Sequence, residues 1–147
     1  MKALTFACLL FAFFHIVLSA PQEDLVDLSQ LNMWDQYAQS YTHKIYSGYL
    51  SVGQDIWHHY MFFESQNDPA NDPILLWLNG GPGCSSVLGA LYEHGPFIFP
   101  DYQMDSQVNH YAWNQNASVI YMESPAVVGF STTADKKEKF TDESVAQ

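Results

Sequence analysis

The rhythm of apolar and polar positions changes several times along this chain, and each change marks an element. "YSGYLSV" (46–52) alternates as a strand does, "GQD" (53–55) has turn composition, and "IWHHYMFFE" (56–64) is a second strand-like run rich in aromatics. Two such runs about a short turn predict a β-hairpin. "SQNDPANDP" (65–73) reads as a loop, and the apolar "ILLWL" (74–78), bounded by breakers, as a buried strand. Ser85 is placed to cap a short helix with Val87, Leu88 and Leu91 on one face, ended by Gly95-Pro96. "ASVIYMESP" (117–125) predicts a further buried strand, followed by the glycine-containing turn "AVVGFS". Strand, loop, helix, strand is the opening of an α/β domain. At the end, Thr141 is placed as an N-cap with Asp142 and Glu143 in the first turn of a helix that Gln147 cuts short, so the sequence reads as truncated.

Between Pro73 and Tyr92 there is no charged residue, yet Gly80, Gly81, Pro82 and Gly83 interrupt the apolar pattern in the middle. A dinucleotide fold would use Gly81-x-Gly83 with Asp101 downstream, but Ser86 replaces its third glycine and Pro82 stands between the first two. A phosphate loop would need a lysine after the last glycine, and there is none. A nucleophile is the second possibility. Ser85 and Ser86 lack the G-x-S-x-G elbow, whereas Cys84 could serve as a thiol with one of the six histidines as base. In the third reading the backbone is the active part. Glycines at a strand-to-helix junction leave N–H groups uncovered, suited to a carboxylate or to the oxyanion of acyl transfer. A plain tight connection is the bland alternative.

The leader changes the context. Lys2 followed by "ALTFACLLFAFFHIVLS" reads as a secretory signal over residues 1–20, with cleavage after Ser19 or Ala20; the run is short for an uncleaved anchor. Residues 21–45 form an irregular, mostly polar lead-in. Signal removal takes Cys8 and leaves Cys84 unpaired in an oxidising compartment, which suggests an absent partner or a reactive thiol. Charge excludes a class of partner: 16 acidic residues face five lysines and no arginine, so nucleic acid is not expected. The pI near 4.5 suits an acidic compartment. No membrane contact is expected after signal removal, and no metal or cofactor is called for. "NAS" at Asn116 is a glycosylation sequon.

"WLNGGPGCSS" (77–86) resembles the signature of serine carboxypeptidases, and the resemblance continues through "YSGYLSV", "FFES", "LYEHGP", "AWNQNASVIYMESPAVVGFS" and "FTDESVAQ". It covers residues 46–147, in order. The resemblance implies the N-terminal part of an α/β-hydrolase fold, incomplete at its C-terminus. It also implies an enzyme that removes the C-terminal residue of peptides and proteins at acidic pH, in the extracellular, lysosomal or vacuolar lumen. By motif position, Gly81 would give an oxyanion-hole N–H. Asn79 and the Gly80 backbone would bind the substrate's terminal carboxylate, with Trp77 lining that site and Glu93 joining its hydrogen-bond network. Cys84 would pair with a cysteine further along the family's chain. Such enzymes carry their Ser, Asp and His in later segments, beginning with a "GESYAG"-type elbow, and none of the three is in this sequence. A non-catalytic short relative that binds peptide C-termini is the competing expectation. One position departs from the family's "ESPAGVGFS": Val127 stands at the first of those glycines, which is strained if that position needs a positive φ.

Overall fold

The structure is a computed structural model, described over residues 20–30, 41–53, 55–100 and 106–134. The leader up to Ser19, Asp101 and the helix expected at Thr141 therefore lie outside the described residues. The expected hairpin is present as β1 (Ile45–Ser51) and β2 (Ile56–Phe63), paired antiparallel from Ile45↔Phe63 to Ser51↔Trp57. Of the lead-in, residues 22–24 and 28–30 form single 3₁₀ turns. The Val26 N–H donates to the Ile45 carbonyl (2.9 Å) and the Tyr60 hydroxyl to Asp24 (2.6 Å), which ties this segment to the hairpin.

Two further strands turn the hairpin into a mixed sheet. The strand β6 (Ser118–Met122) pairs antiparallel with β2, and β3 (Ile74–Trp77) pairs parallel with β6 in the register Ile74↔Ser118 to Trp77↔Tyr121. The order is β1-β2-β6-β3, with the short β7 (Thr132–Thr133) also on β2. A parallel pair needs a crossover. Here it contains a helical turn (Gly89–Glu93), the two-strand ribbon β4 (Phe97–Ile98) with β5 (Gln107–Val108), and a 3₁₀ turn (Trp113–Gln115). Ile45, Phe63, Ala90, Phe97, Val119 and Tyr121 form the core, so the crossover packs onto β1, β2 and β6.

Two expectations of burial are corrected. The strand β3 is not buried: Ile74 is 65% and Leu76 57% exposed. It is the edge of the described sheet, hydrogen-bonded there only to β6; of its residues Trp77 packs against the core, while Ile74 and Leu76 stay exposed. The helix also buries a different face. Ser86, Gly89 and Ala90 are buried, whereas Leu88 is exposed and Val87 and Leu91 are half-buried. Small residues win because the turn lies against Trp77 and Asn79. A Cβ on Gly89 would come within 2.5 Å of Trp77 Nε1 and 3.2 Å of Asn79 Oδ1. The turn is also shorter and wider than an α-helix, closed by a π-type bond from the His94 N–H to the Gly89 carbonyl (3.0 Å). One turn gives little macrodipole, so the exposed loop amides, not a helix end, are the polar feature here.

The Val127 departure has structural weight. Val127 has φ 67° in a turn closed by its N–H to the Ser131 carbonyl (3.1 Å). The left-handed region costs an L-residue roughly 1–2 kcal/mol, and branching at Cβ aggravates the clash. Glycine removes that cost but gives back about 0.5–1 kcal/mol through its freer unfolded chain. Val127→Gly is therefore expected to stabilise by about 1 kcal/mol, read as a higher denaturant midpoint at unchanged slope. The side chain is 63% exposed, so little packing is lost.

Candidate functional site

Parallel strands collect their functional loops at their carboxyl ends, and both parallel strands end at the same place here. β3 runs out at Trp77 into the loop Leu78–Cys84, and β6 runs out at Met122 into Glu123 and the turn that follows. The two loops are fastened together. The Ser85 hydroxyl donates to Glu123 Oε1 and accepts the Val87 N–H (3.2 Å), a contact ahead of the helical turn, whose own N-cap position is Leu88 without a side-chain cap. The Ser86 hydroxyl, almost wholly buried, accepts the Asn79 N–H (3.0 Å). Both serines are thus committed to holding the loop.

Trp77 and Asn79 form a rigid corner. Indole nitrogen can only donate, so the 2.6 Å bond from Trp77 Nε1 to Asn79 Oδ1 fixes which way the Asn79 amide faces. Its Nδ2 carries two further donor hydrogens. Beside it, Gly80 has nothing within 4 Å of where a Cβ would stand, and Gly81 has φ 140°, a conformation that glycine alone adopts readily. The loop includes a cis Gly81-Pro82 bond and is exposed from Gly80 to Cys84. Cys84 is an exposed free thiol. Glu93 ends the helical turn with its side chain half exposed, 3.9 Å from His94 Nε2; the His94 ring in turn packs edge-on against Trp77, with centroids 4.4 Å apart. Trp77, Asn79, His94 and Glu93 are thereby linked in one run of contacts. Asn116 is exposed at the end of the 3₁₀ turn, immediately before β6.

The sequence reading missed Glu123, which is fully buried. Besides Ser85, its carboxylate accepts His59 Nδ1–H (2.9 Å) and the Phe130 N–H (2.7 Å). Its own carbonyl accepts the Ser131 hydroxyl (2.6 Å) and His58 Nδ1–H (2.8 Å). Gly129 is required beside it, since any Cβ there would strike the carboxylate. With Nδ1 donating to Glu123, His59 Nε2 accepts from Ser47 Oγ at 2.9 Å, which completes a Ser–His–acid chain. Ser47 lies mid-strand in β1, however, where successive N–H groups point to opposite sides and cannot converge on an oxyanion. The chain reads as a buried polar network locking β1, β2, the glycine loop and the 125–131 turn. A signal was present: Val119, Tyr121 and Glu123 share one face of a period-two pattern, and a carboxylate on a buried phase demands partners.

A sheet that mixes parallel and antiparallel strands, with a glycine loop at the carboxyl end of its parallel pair, fits an α/β enzyme domain. Residues 36–147 match the family described as serine carboxypeptidase, and the chain belongs to that family. Its fold is that of the α/β hydrolases, with which the mixed sheet agrees. The mouse lysosomal protective protein is 48% identical over 130 residues, which is 88% of this chain and 26% of that protein. The Arabidopsis thaliana serine carboxypeptidase-like 20 is 38% identical over 96% of the chain and 29% of its own length. Carboxypeptidase Y of Komagataella phaffii is 55% identical over 60% of the chain and 17% of its own length. The chain therefore spans less than a third of the length of these relatives.

Proposed function

We propose that this chain forms the carboxylate-binding and oxyanion side of a serine carboxypeptidase that removes the C-terminal residue of peptides and proteins at acidic pH. The nucleophile, acid and base would come from the part of the relatives' length that these residues do not span. The names of the mouse protein and of a Saccharomyces cerevisiae vacuolar relative support an acidic lysosomal or vacuolar lumen in the secretory pathway. Asn116 is the proposed glycan site and Cys84 one half of a disulfide.

The observation that carries the reading is the Trp77–Asn79 bond. It holds the Asn79 amide oxygen and so leaves Nδ2 as the free end of the side chain, next in sequence to the open Gly80 and the exposed Gly81. Three donors in that order suit a carboxylate followed, one residue along the peptide, by a scissile carbonyl. Gly81 supplies an oxyanion N–H. Glu93 adds selectivity for the acid form of the pair, because two carboxyl groups share a hydrogen bond only when one carries a proton.

In the full-length enzyme, Asn79→Ala is expected to raise KM for an N-acyl dipeptide by about ten- to a hundredfold, since a hydrogen bond to a charged group contributes roughly 1.5–3 kcal/mol. The inhibition constant of the matching C-terminal amide should not change. Glu93→Gln should flatten the rise of KM between about pH 5 and pH 7. Equal losses for acid and amide in Asn79→Ala would contradict the assignment.

A further inference from the structure

His94 is 7% exposed and fixed on three sides by aromatic rings. It stacks on Trp113 (4.1 Å, 13°) and on Tyr121 (5.4 Å, 18°), and meets Trp77 edge-on. Nδ1 lies 2.9 Å from the Tyr121 hydroxyl. Nε2 is buried without a hydrogen-bond partner among the described residues, an arrangement that proteins rarely leave unexplained.

The proton can be placed. Burial pushes the Tyr121 phenol well above its ordinary range, so it keeps an O–H to donate. Burial pushes His94 down, opposed in part by Glu93, so the ring is neutral above its ordinary titration range. Tyr121 donating to Nδ1 leaves the ring hydrogen on Nε2. The reverse tautomer would turn an Nε2 lone pair toward a carboxylate and deprive the buried phenol of an acceptor. An N–H donor thus faces Glu93 Oε2 across 3.9 Å, and the Glu93 side chain, half exposed, needs only a rotation to close the gap.

We propose that His94 is a positioning residue whose Nε2–H draws the Glu93 side chain against the Trp77–Asn79 corner, where it shares a hydrogen bond with the substrate's terminal carboxyl group. This rests on the assignment of Asn79 and Glu93 made above. The ring cage sets the direction of the donor, and Tyr121 sets which nitrogen donates. Rotation of the Glu93 side chain on ligand binding would give Nε2 the acceptor it lacks among the described residues.

The test uses the full-length enzyme, an N-acyl dipeptide as substrate and its C-terminal amide as competing inhibitor. His94→Phe keeps a ring in the cage and deletes both nitrogens. It is expected to raise KM for the free acid about tenfold, with kcat within about twofold and the inhibition constant of the amide unchanged. His94→Gln, which returns a donor near the Nε2 position, should recover most of that loss. In a Glu93→Gln background, His94→Phe should add little, because the two act through one contact. Equal effects on acid and amide, or an effect that adds fully to Glu93→Gln, would reduce His94 to packing and overturn the inference. If Glu93→Gln alone leaves acid-over-amide discrimination intact, the assignment of Glu93 fails and takes this one with it. Should His94→Phe not fold, Tyr121→Phe carries the test. It frees the ring proton to choose either nitrogen, so a smaller KM rise confined to the free acid is expected, and no change would overturn the proposal.

Discussion

Glu123→Ala is expected to cost about 3–5 kcal/mol of stability, since each buried donor left unpaired costs roughly 1–3 kcal/mol, and to prevent folding of a marginal variant. The wild-type carboxylate is fully buried and accepts from Ser85, His59 and Phe130, three donors drawn from three different segments. Alanine leaves all three unpaired in a space too tight for relaxation, because the Gly129 turn closes over it. Glu123→Gln should fall between, since an amide can accept through one oxygen only. The comparison is Lys44→Ala. Lys44 pairs with Glu64 at 3.8 Å but is 56% exposed, and an exposed pair contributes no more than about 1 kcal/mol. Denaturant midpoints of the three variants give the ranking. A Glu123→Ala protein within about 1 kcal/mol of wild type would show that the network is not what joins the glycine loop to the sheet.

The second large effect is loss of all turnover. The 147-residue chain, assayed with a blocked dipeptide at pH 5, should release no detectable product. Oxyanion donors without a nucleophile and base leave only a small residual rate over water. The hydroxyls of the glycine loop and of the Glu123 network are engaged: Ser85 with Glu123 and Val87, Ser86 with Asn79, and Ser47 with His59 in a strand without converging donors. Turnover abolished by Ser47→Ala, Ser85→Ala or Cys84→Ala would mean that one of these groups is a nucleophile after all.

Local chemistry made part of this architecture legible in advance. The hairpin was readable because aromatic and alternating runs flank a turn. β6 was readable from an apolar run between breakers. The same rule misled at β3, where "ILLWL" has the composition of a buried strand but sits at the edge of the described sheet. Composition reports what a strand would tolerate on its faces, not which neighbours it has. The helix face was misread because close approach of Gly89 to Trp77 is a packing requirement that hydrophobicity does not encode. Glu123 and His59, 64 positions apart, could be joined only by the β2–β6 pairing. The short strands β4, β5 and β7 have two residues each, too few for any periodicity to show.

Within the candidate site, the motif residues were legible in the sequence while their supports were not. Trp77, Asn79, Gly80 and Gly81 lie within one five-residue stretch, so the pattern displays them. Ser86, His94 and Tyr121 act by reaching across the fold. Val127 is the opposite case, a departure whose consequence was visible from one missing glycine and whose φ of 67° is the strained conformation expected there.

The role of the glycine loop is decided by where a substrate's terminal carboxylate binds. A crystal structure of the full-length enzyme with a slowly cleaved N-acyl dipeptide is the direct measurement. It should place the carboxylate within hydrogen-bond distance of Asn79 Nδ2 and the Gly80 N–H, with Glu93 turned toward it and the scissile carbonyl oxygen facing the Gly81 N–H. A carboxylate held by other residues, with the Asn79–Gly81 loop left to solvent, would contradict it.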